Sequence, residues 1–153
     1  MIDSNTLERL MSFCAYTERC HHDVVQKLYK MNVSANEHDY YVAELIEQNF
    51  LNESRFTELY IRSKFNQKKW GKLKIIQHLQ TKGISQRQID LSMSKAIEEK
   101  AYKKTLSELI RQKLVLLPDK LSNSEKRKKL FQYLHQKGFE SFEILPLLDI
   151  LIQ

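Results

Sequence analysis

Apolar residues along this chain recur at the spacing of helix faces. Leu7, Leu10, Met11 and Cys14 form one such stripe. Phe56, Leu59, Tyr60 and Ser63 form a second, and Leu106, Leu109, Ile110 and Lys113 a comparable third, each at i, i+3, i+4, i+7. Counting stripes and turn signals predicts nine helices, over about 3–17, 20–31, 35–48, 53–67, 71–82, 86–98, 100–115, 123–137 and 141–152. Tyr40, Tyr41, Phe56, Tyr60 and Phe131 stand at core spacings and read as packing residues.

Three stretches repeat one pattern: an apolar pair, Gln, a variable residue, Leu, then a turn. They are Val24-Val25-Gln26-Lys27-Leu28, Ile75-Ile76-Gln77-His78-Leu79 and Leu130-Phe131-Gln132-Tyr133-Leu134, offset by 51 and then 55 residues. Asn32, Gly83 and Gly138 occupy the same slot in the turns that follow. That slot suits a helix C′ residue in the left-handed conformation, which Gly adopts freely and Asn at small cost. Ser34-Ala35-Asn36-Glu37, Ser85-Gln86-Arg87-Gln88 and Ser122-Asn123-Ser124-Glu125 each fit a capping box at a new helix start. Three three-helix units follow, over 1–50, 51–98 and 99–153. Each is too small to bury its stripes alone, so the expected fold is all-α, with tandem repeats stacked into an elongated, curved array. Pro118-Asp119 marks the longest linker. Pro146 is expected to kink the last helix or delay its start.

Composition supports helices, because Gly (3) and Pro (2) are scarce among 153 residues while apolar (42%) and charged (29%) residues are balanced. Charge adds something periodicity does not. Residues 1–53 hold 4 Lys+Arg against 9 Asp+Glu, and residues 54–153 hold 21 against 10, within a net charge of +6. An acidic first repeat and two basic ones point to a polyanion or an acidic protein as partner; a merely solvated lysine surface is the plain alternative.

Chemistry is sparse. Cys14 and Cys20 make no disulfide framework, and Cys14 lies on an apolar stripe, so the Cys14, Cys20, His21, His22 cluster reads as structural and no metal or cofactor is expected. No Gly-rich phosphate loop, nucleophile elbow or HExxH motif occurs, which argues against an enzyme. No stretch reaches signal-peptide or membrane-span character, so a cytoplasmic location without membrane contact is expected.

The run Phe50-Leu51-Asn52-Glu53-Ser54-Arg55-Phe56-Thr57, then Tyr60-Ile61-Arg62-Ser63-Lys64, Trp70-Gly71-Lys72 and Leu79-Gln80-Thr81-Lys82-Gly83-Ile84, resembles the RecX family of bacterial recombination regulators. Ala15-Tyr16, Arg19-Cys20-His21-His22-Asp23-Val24 and Lys137-Gly138-Phe139 extend the likeness over nearly the whole chain. Departures are Asn52-Glu53 for an acidic pair, Thr57 for Ala, Lys72 for Pro and Cys20 for a capping Ser. Asn52 still suits a helix cap, whereas Cys20 is a poorer one and invites fraying. The resemblance implies three three-helix repeats and a protein that binds the RecA recombinase and its filament on single-stranded DNA. It further implies restraint of ATP hydrolysis, filament growth and strand exchange, with DNA contact by the basic face.

The candidate contact surface is Arg62, Lys64, Lys68, Lys69, Lys72 and Lys74, with a second run at Lys126, Arg127, Lys128 and Lys129. These suit acidic patches of RecA or DNA phosphates, single- or double-stranded. Positive charge at a helix start opposes the helix dipole, so the second run costs some stability. Trp70 reads either as a stacking residue or as a pin between two helices, the second being commoner beside a turn. The alternative function is a sequence-tolerant DNA-binding repeat protein acting without RecA. Unpaired charges point to a monomer.

Overall fold

The computed structural model describes residues 1–153 and contains nine α-helices and no strand. They are α1 (Ser4–Tyr16), α2 (His21–Lys30), α3 (His38–Glu47), α4 (Glu53–Lys68), α5 (Lys72–Thr81), α6 (Gln86–Ala96), α7 (Glu99–Leu116), α8 (Asn123–Gln136) and α9 (Ser141–Leu151). A 3-10 turn at Ala35–Glu37 leads into α3.

The repeated turns form as the pattern requires. Asn32 (φ 60°), Gly83 (φ 77°) and Gly138 (φ 102°) are left-handed. In each turn the following amide reaches back to the repeat's leucine carbonyl: Val33 to Leu28 at 3.1 Å, Ile84 to Leu79 at 3.2 Å, Phe139 to Leu134 at 3.1 Å. This is the six-to-one bond of a Schellman motif, and all three leucines are fully buried. Asn49 (φ 64°) and Lys69 (φ 58°) make the same excursion after α3 and α4.

Capping follows the sequence in part. Asn52 Oδ1 accepts from Arg55 N at 3.0 Å, Ser85 Oγ from Gln88 N at 3.2 Å, and Ser122 and Glu125 bond reciprocally at 3.1 Å. Ser34 does not cap, because the 3-10 turn sits between it and α3 and its hydroxyl takes no amide. The start of α2 is held from the other side: Cys20 N–H donates to Asp23 Oδ2 at 3.1 Å.

Two further expectations need correction. Tyr40 is 58% exposed, because α3 turns His38, Tyr41 and Leu45 inward instead. In α4, Leu59 is exposed and the buried face is Phe56, Thr57, Ile61 and Phe65, so Thr57 and Ile61 take the places that Leu106 and Ile110 hold in α7, one residue off the expected register. Pro146 does not delay α9, which begins at Ser141. The residue is exposed, as is Phe142, whose carbonyl the missing N–H would have served.

The chain divides into two compact units, Met1–Tyr60 with Leu79–Met93, and Ile61–His78 with Ser94–Gln153. The first is cored by Leu10, Cys14, Val24, Leu28, Tyr41, Leu45 and Leu51. The second buries Phe65, Ile75, Tyr102, Leu106, Ile110, Leu130, Leu134 and Phe139. There the Tyr102 ring lies 5.7 Å from Phe65 and 5.3 Å from Phe139, centroid to centroid.

Candidate functional site

Within the second unit, the start of α5 meets the end of α8. The first amides of a helix lack partners inside it, and here other elements supply them. Gly71 N–H donates to Lys137 O at 2.7 Å, Leu73 N–H to Gly138 O at 3.1 Å, and Lys72 N–H to the Tyr102 hydroxyl at 2.9 Å. The approach is so close that a Cβ on Gly71 would lie 2.3 Å from Gly138 C, and one on Gly138 2.4 Å from Lys74 Cβ. Only glycine fits at either position.

This junction sets the basic residues around Trp70. The Trp70 ring is 4.6 Å from the His78 ring, with Lys74 Nζ at 4.6 Å and Lys64 Nζ at 5.1 Å from it, so it ties α4 to α5 through aromatic and cation–π contacts. Lys137 enters from α8, and its Nζ donates to Lys68 O at 2.9 Å. Burial lowers the Lys137 pKa, and the neighbouring charges of Lys74 and Lys69 lower it further. Lys69, Lys74 and Lys137 form no ion pair with any carboxylate. Tyr133 continues the surface, with Lys113 Nζ at 4.8 Å and Lys137 Nζ at 5.7 Å from its ring.

The sequence candidates are thus divided. Lys64, Lys69, Trp70 and Lys74 come together, and Arg62 and Lys68 are exposed on α4. Lys72 is engaged within the fold, 2.8 Å from Glu99 and 4.4 Å over the Tyr102 ring. Lys126, Arg127, Lys128 and Lys129 lie at the other end of α8 from Lys137, roughly 12–16 Å along the helix axis. Of these, Arg127 pairs with Asp149, and Lys128 and Lys129 are exposed. Lys113, Tyr133 and Lys137 escaped the sequence reading. Tyr133 on α8 and Lys137, the C-cap of that helix, are four apart and share a face, a signal hidden in the sequence because Lys137-Gly138-Phe139 reads as a turn.

The cysteines offer no site of this kind. Both thiols are buried, which raises their pKa, Cys20 to about 11, and His21 lies 3.7 Å from Glu53. No three His, Cys, Asp or Glu residues are grouped to hold a metal ion. No helix is long and apolar enough to cross a membrane.

Residues 52–93, from the Asn52 cap to Met93 in α6, match the family model of the RecX second three-helix domain. That stretch carries a RecX-type second three-helix domain. A regulatory protein RecX of Lactobacillus gasseri is 28% identical over 141 residues, covering 90% of this chain and 50% of that one. One from Finegoldia magna is 22% identical over 129 residues, covering 84% and 63%. The chain therefore spans about half the length of the first of these curated relatives and under two thirds of the second. The crystal structure of RecX from Lactobacillus salivarius superposes with a TM-score of 0.85 at 22% identity, covering 97% of this chain and 95% of that one. The tandem helical architecture is thus that of RecX structures. Relative to the family pattern, Lys72 in place of Pro gains a consequence here: it supplies the N–H that Tyr102 accepts, which Pro lacks.

Proposed function

We propose that this chain binds the RecA recombinase and its filament on single-stranded DNA and restrains ATP hydrolysis and filament extension. The observation that carries the reading is the group Lys69, Lys74 and Lys137 beside Trp70. Burial depresses the Lys137 ammonium, the charges of Lys74 and Lys69 depress it further, and no carboxylate pairs with any of the three. Like charges held together oppose folding, and an anionic partner relieves the repulsion. An acidic patch of a filament protomer, or phosphates in its groove, supplies that charge, and Trp70 and Tyr133 supply aromatic area beside it. Bridging protomers needs surface and charge, with no nucleophile or metal, so the chain acts without catalysis. The working units are the three-helix repeats 1–50, 51–98 and 99–153, carried by a cytoplasmic monomer.

The test is RecA's DNA-dependent ATPase titrated with the full chain, alongside co-sedimentation with filaments. Inhibition at stoichiometric ratios, lost in Lys69→Glu/Lys74→Glu and kept in Lys128→Glu/Lys129→Glu, is the expected result. No inhibition and no co-sedimentation would remove the proposal. Tight, salt-sensitive binding to free duplex DNA with no effect on RecA would place the chain among DNA-binding repeat proteins acting without a recombinase.

A further inference from the structure

Residues 1–53 are acidic overall, yet all four of their cations, Arg9, Arg19, Lys27 and Lys30, line two grooves that share Phe13, Arg19 and Lys27. We propose that these grooves form a binding site for single-stranded nucleic acid, its phosphates held by the four cations and a base stacked on Tyr16. The larger groove has a volume of about 590 Å³, enough for a nucleotide-sized group. The Arg19 guanidinium sits 3.7 Å over the Phe13 ring, and its Nε donates to Phe13 O at 3.0 Å, so its position is fixed before any ligand arrives. Lys27 Nζ lies 5.4 Å from the same ring.

Charge in this unit is sorted, not averaged. The neighbouring carboxylates are used elsewhere: Glu18 takes Arg55 at 3.0 Å, and Asp23 takes Lys82 at 3.3 Å and the Cys20 amide. None of the four groove cations forms an ion pair, and Glu8 is the one uncommitted carboxylate lining the same space. A segment with a net charge of −5 has thereby produced a locally positive groove. Tyr16, the last residue of α1, stands at its rim 86% exposed. An exposed flat ring beside clustered cations is the arrangement by which proteins hold unpaired bases and their phosphates without reading sequence. An acidic protein surface would use the cations and leave the ring idle, which makes Tyr16 the deciding residue.

The inference stands apart from the recombinase reading, because its probe is a free oligonucleotide with no RecA present. A fluorescent oligothymidine 12-mer titrated with the full chain gives affinity by anisotropy across a salt series. The same oligomer carrying 5-iodouracil gives the contact site by ultraviolet cross-linking and peptide mapping. The expected cross-link falls on Phe13 or Tyr16. Tyr16→Ala weakens binding about tenfold with the salt slope unchanged, and Tyr16→Phe restores it. Arg9→Ala/Lys30→Ala lowers the slope of log K against log salt by about 1.4 and abolishes that cross-link. Repeating the titration on Lys69→Glu/Lys74→Glu isolates this site from the lysines around Trp70. Cross-links confined to Trp70 and Tyr133 would overturn the proposal, as would unchanged affinity in Tyr16→Ala. Polyglutamate binding as tightly, and indifferently to Tyr16, would assign the groove to an acidic protein instead.

Discussion

The turns at Gly83 and Gly138 share a sequence signal and a backbone bond, yet they do different work. Gly83 is left-handed with nothing within 4 Å of where a Cβ would stand. Gly138 is left-handed too, but its missing Cβ makes room for Lys74, and the amide of Leu73 reaches its carbonyl. The first glycine answers only to its own φ. The second answers to φ and to the α5 start packed against it, and through that start it sets where Trp70 and Lys74 stand. One repeated motif has been kept for local reasons in one unit and recruited for the candidate surface in the other.

The sharpest way to break that contrast is a methyl group at the junction. Gly138→Ala combines overpacking, a φ of 102° and loss of cross-element hydrogen bonds, Gly71→Ala combines overpacking with the same lost bonds, and each should cost about 4 kcal/mol. Such a loss approaches the whole stability of a small domain. Urea unfolding measures it, and Trp70, the single tryptophan, reports the junction directly through a red-shifted emission in any variant that stays folded. Retention of wild-type stability by both would refute the close approach. Gly83→Ala should cost only about 1 kcal/mol, the penalty of φ > 0 for a residue with a Cβ. Gly83→Asn should cost less, since Asn32 already fills that slot in the first repeat.

Acid provides the next test. Asp23 is partly buried, which raises its pKa, but the Cys20 backbone and thiol and the Lys82 ammonium outweigh burial and leave it below the usual value of 3.8. A carboxylate depressed in the folded state stabilises fully above its unfolded pKa, and that contribution fades as pH falls through the folded pKa. Asp23→Asn should therefore lower stability by about 1 kcal/mol at pH 7. The difference from wild type should shrink below pH 4, measured as urea midpoints across pH. A gap that widens in acid would mean the sign is wrong. Lys137 behaves oppositely. Its depressed pKa means the charged form opposes folding at neutral pH, so stability should rise as pH climbs from the folded pKa toward the ordinary lysine value.

Much of this was visible in the sequence because helix ends are written locally. Asn32, Gly83 and Gly138 announced the turns, and Asn52, Ser85 and Ser122 the caps, since each acts on a backbone group a few residues away. What stayed hidden depends on elements distant in the chain. Leu59 and Ile61 both fit a helical stripe in α4, and only the neighbours that α4 packs against decide that Ile61 is buried. Lys69 adopts a left-handed φ that its residue type does not advertise. The basic surface was half legible: Lys64, Lys69, Trp70 and Lys74 are close in sequence, whereas Lys113 and Lys137 reach it from α7 and α8. The groove around Phe13 was masked by averaging, because four cations among nine acids read as acidic until folding sorts them.

The smallest effect is expected where two comparable terms oppose each other. Lys72 is the first residue of α5 and stands where the family pattern has Pro. Proline at that position is preorganised for the helix and narrows the unfolded ensemble, which stabilises by about 0.4–1 kcal/mol. Lys72→Pro also removes the N–H donated to Tyr102 and the side chain paired with Glu99. The ion pair is largely exposed and contributes little. The hydroxyl of a buried tyrosine loses its amide donor but keeps a 3.3 Å bond to Glu143, so that loss should be nearer 1 than 3 kcal/mol. The net expectation is a destabilisation of about 0.5 kcal/mol, well inside the effects at Gly71 and Gly138. Lys72→Ala separates the terms, since it keeps the N–H, drops the pair and should lie within about 0.5 kcal/mol of wild type. If Lys72→Pro instead proved stabilising by more than 1 kcal/mol, the Tyr102 hydroxyl would not be a working cap. The junction of α5 with α8 would then rest on its two glycine-enabled backbone bonds alone.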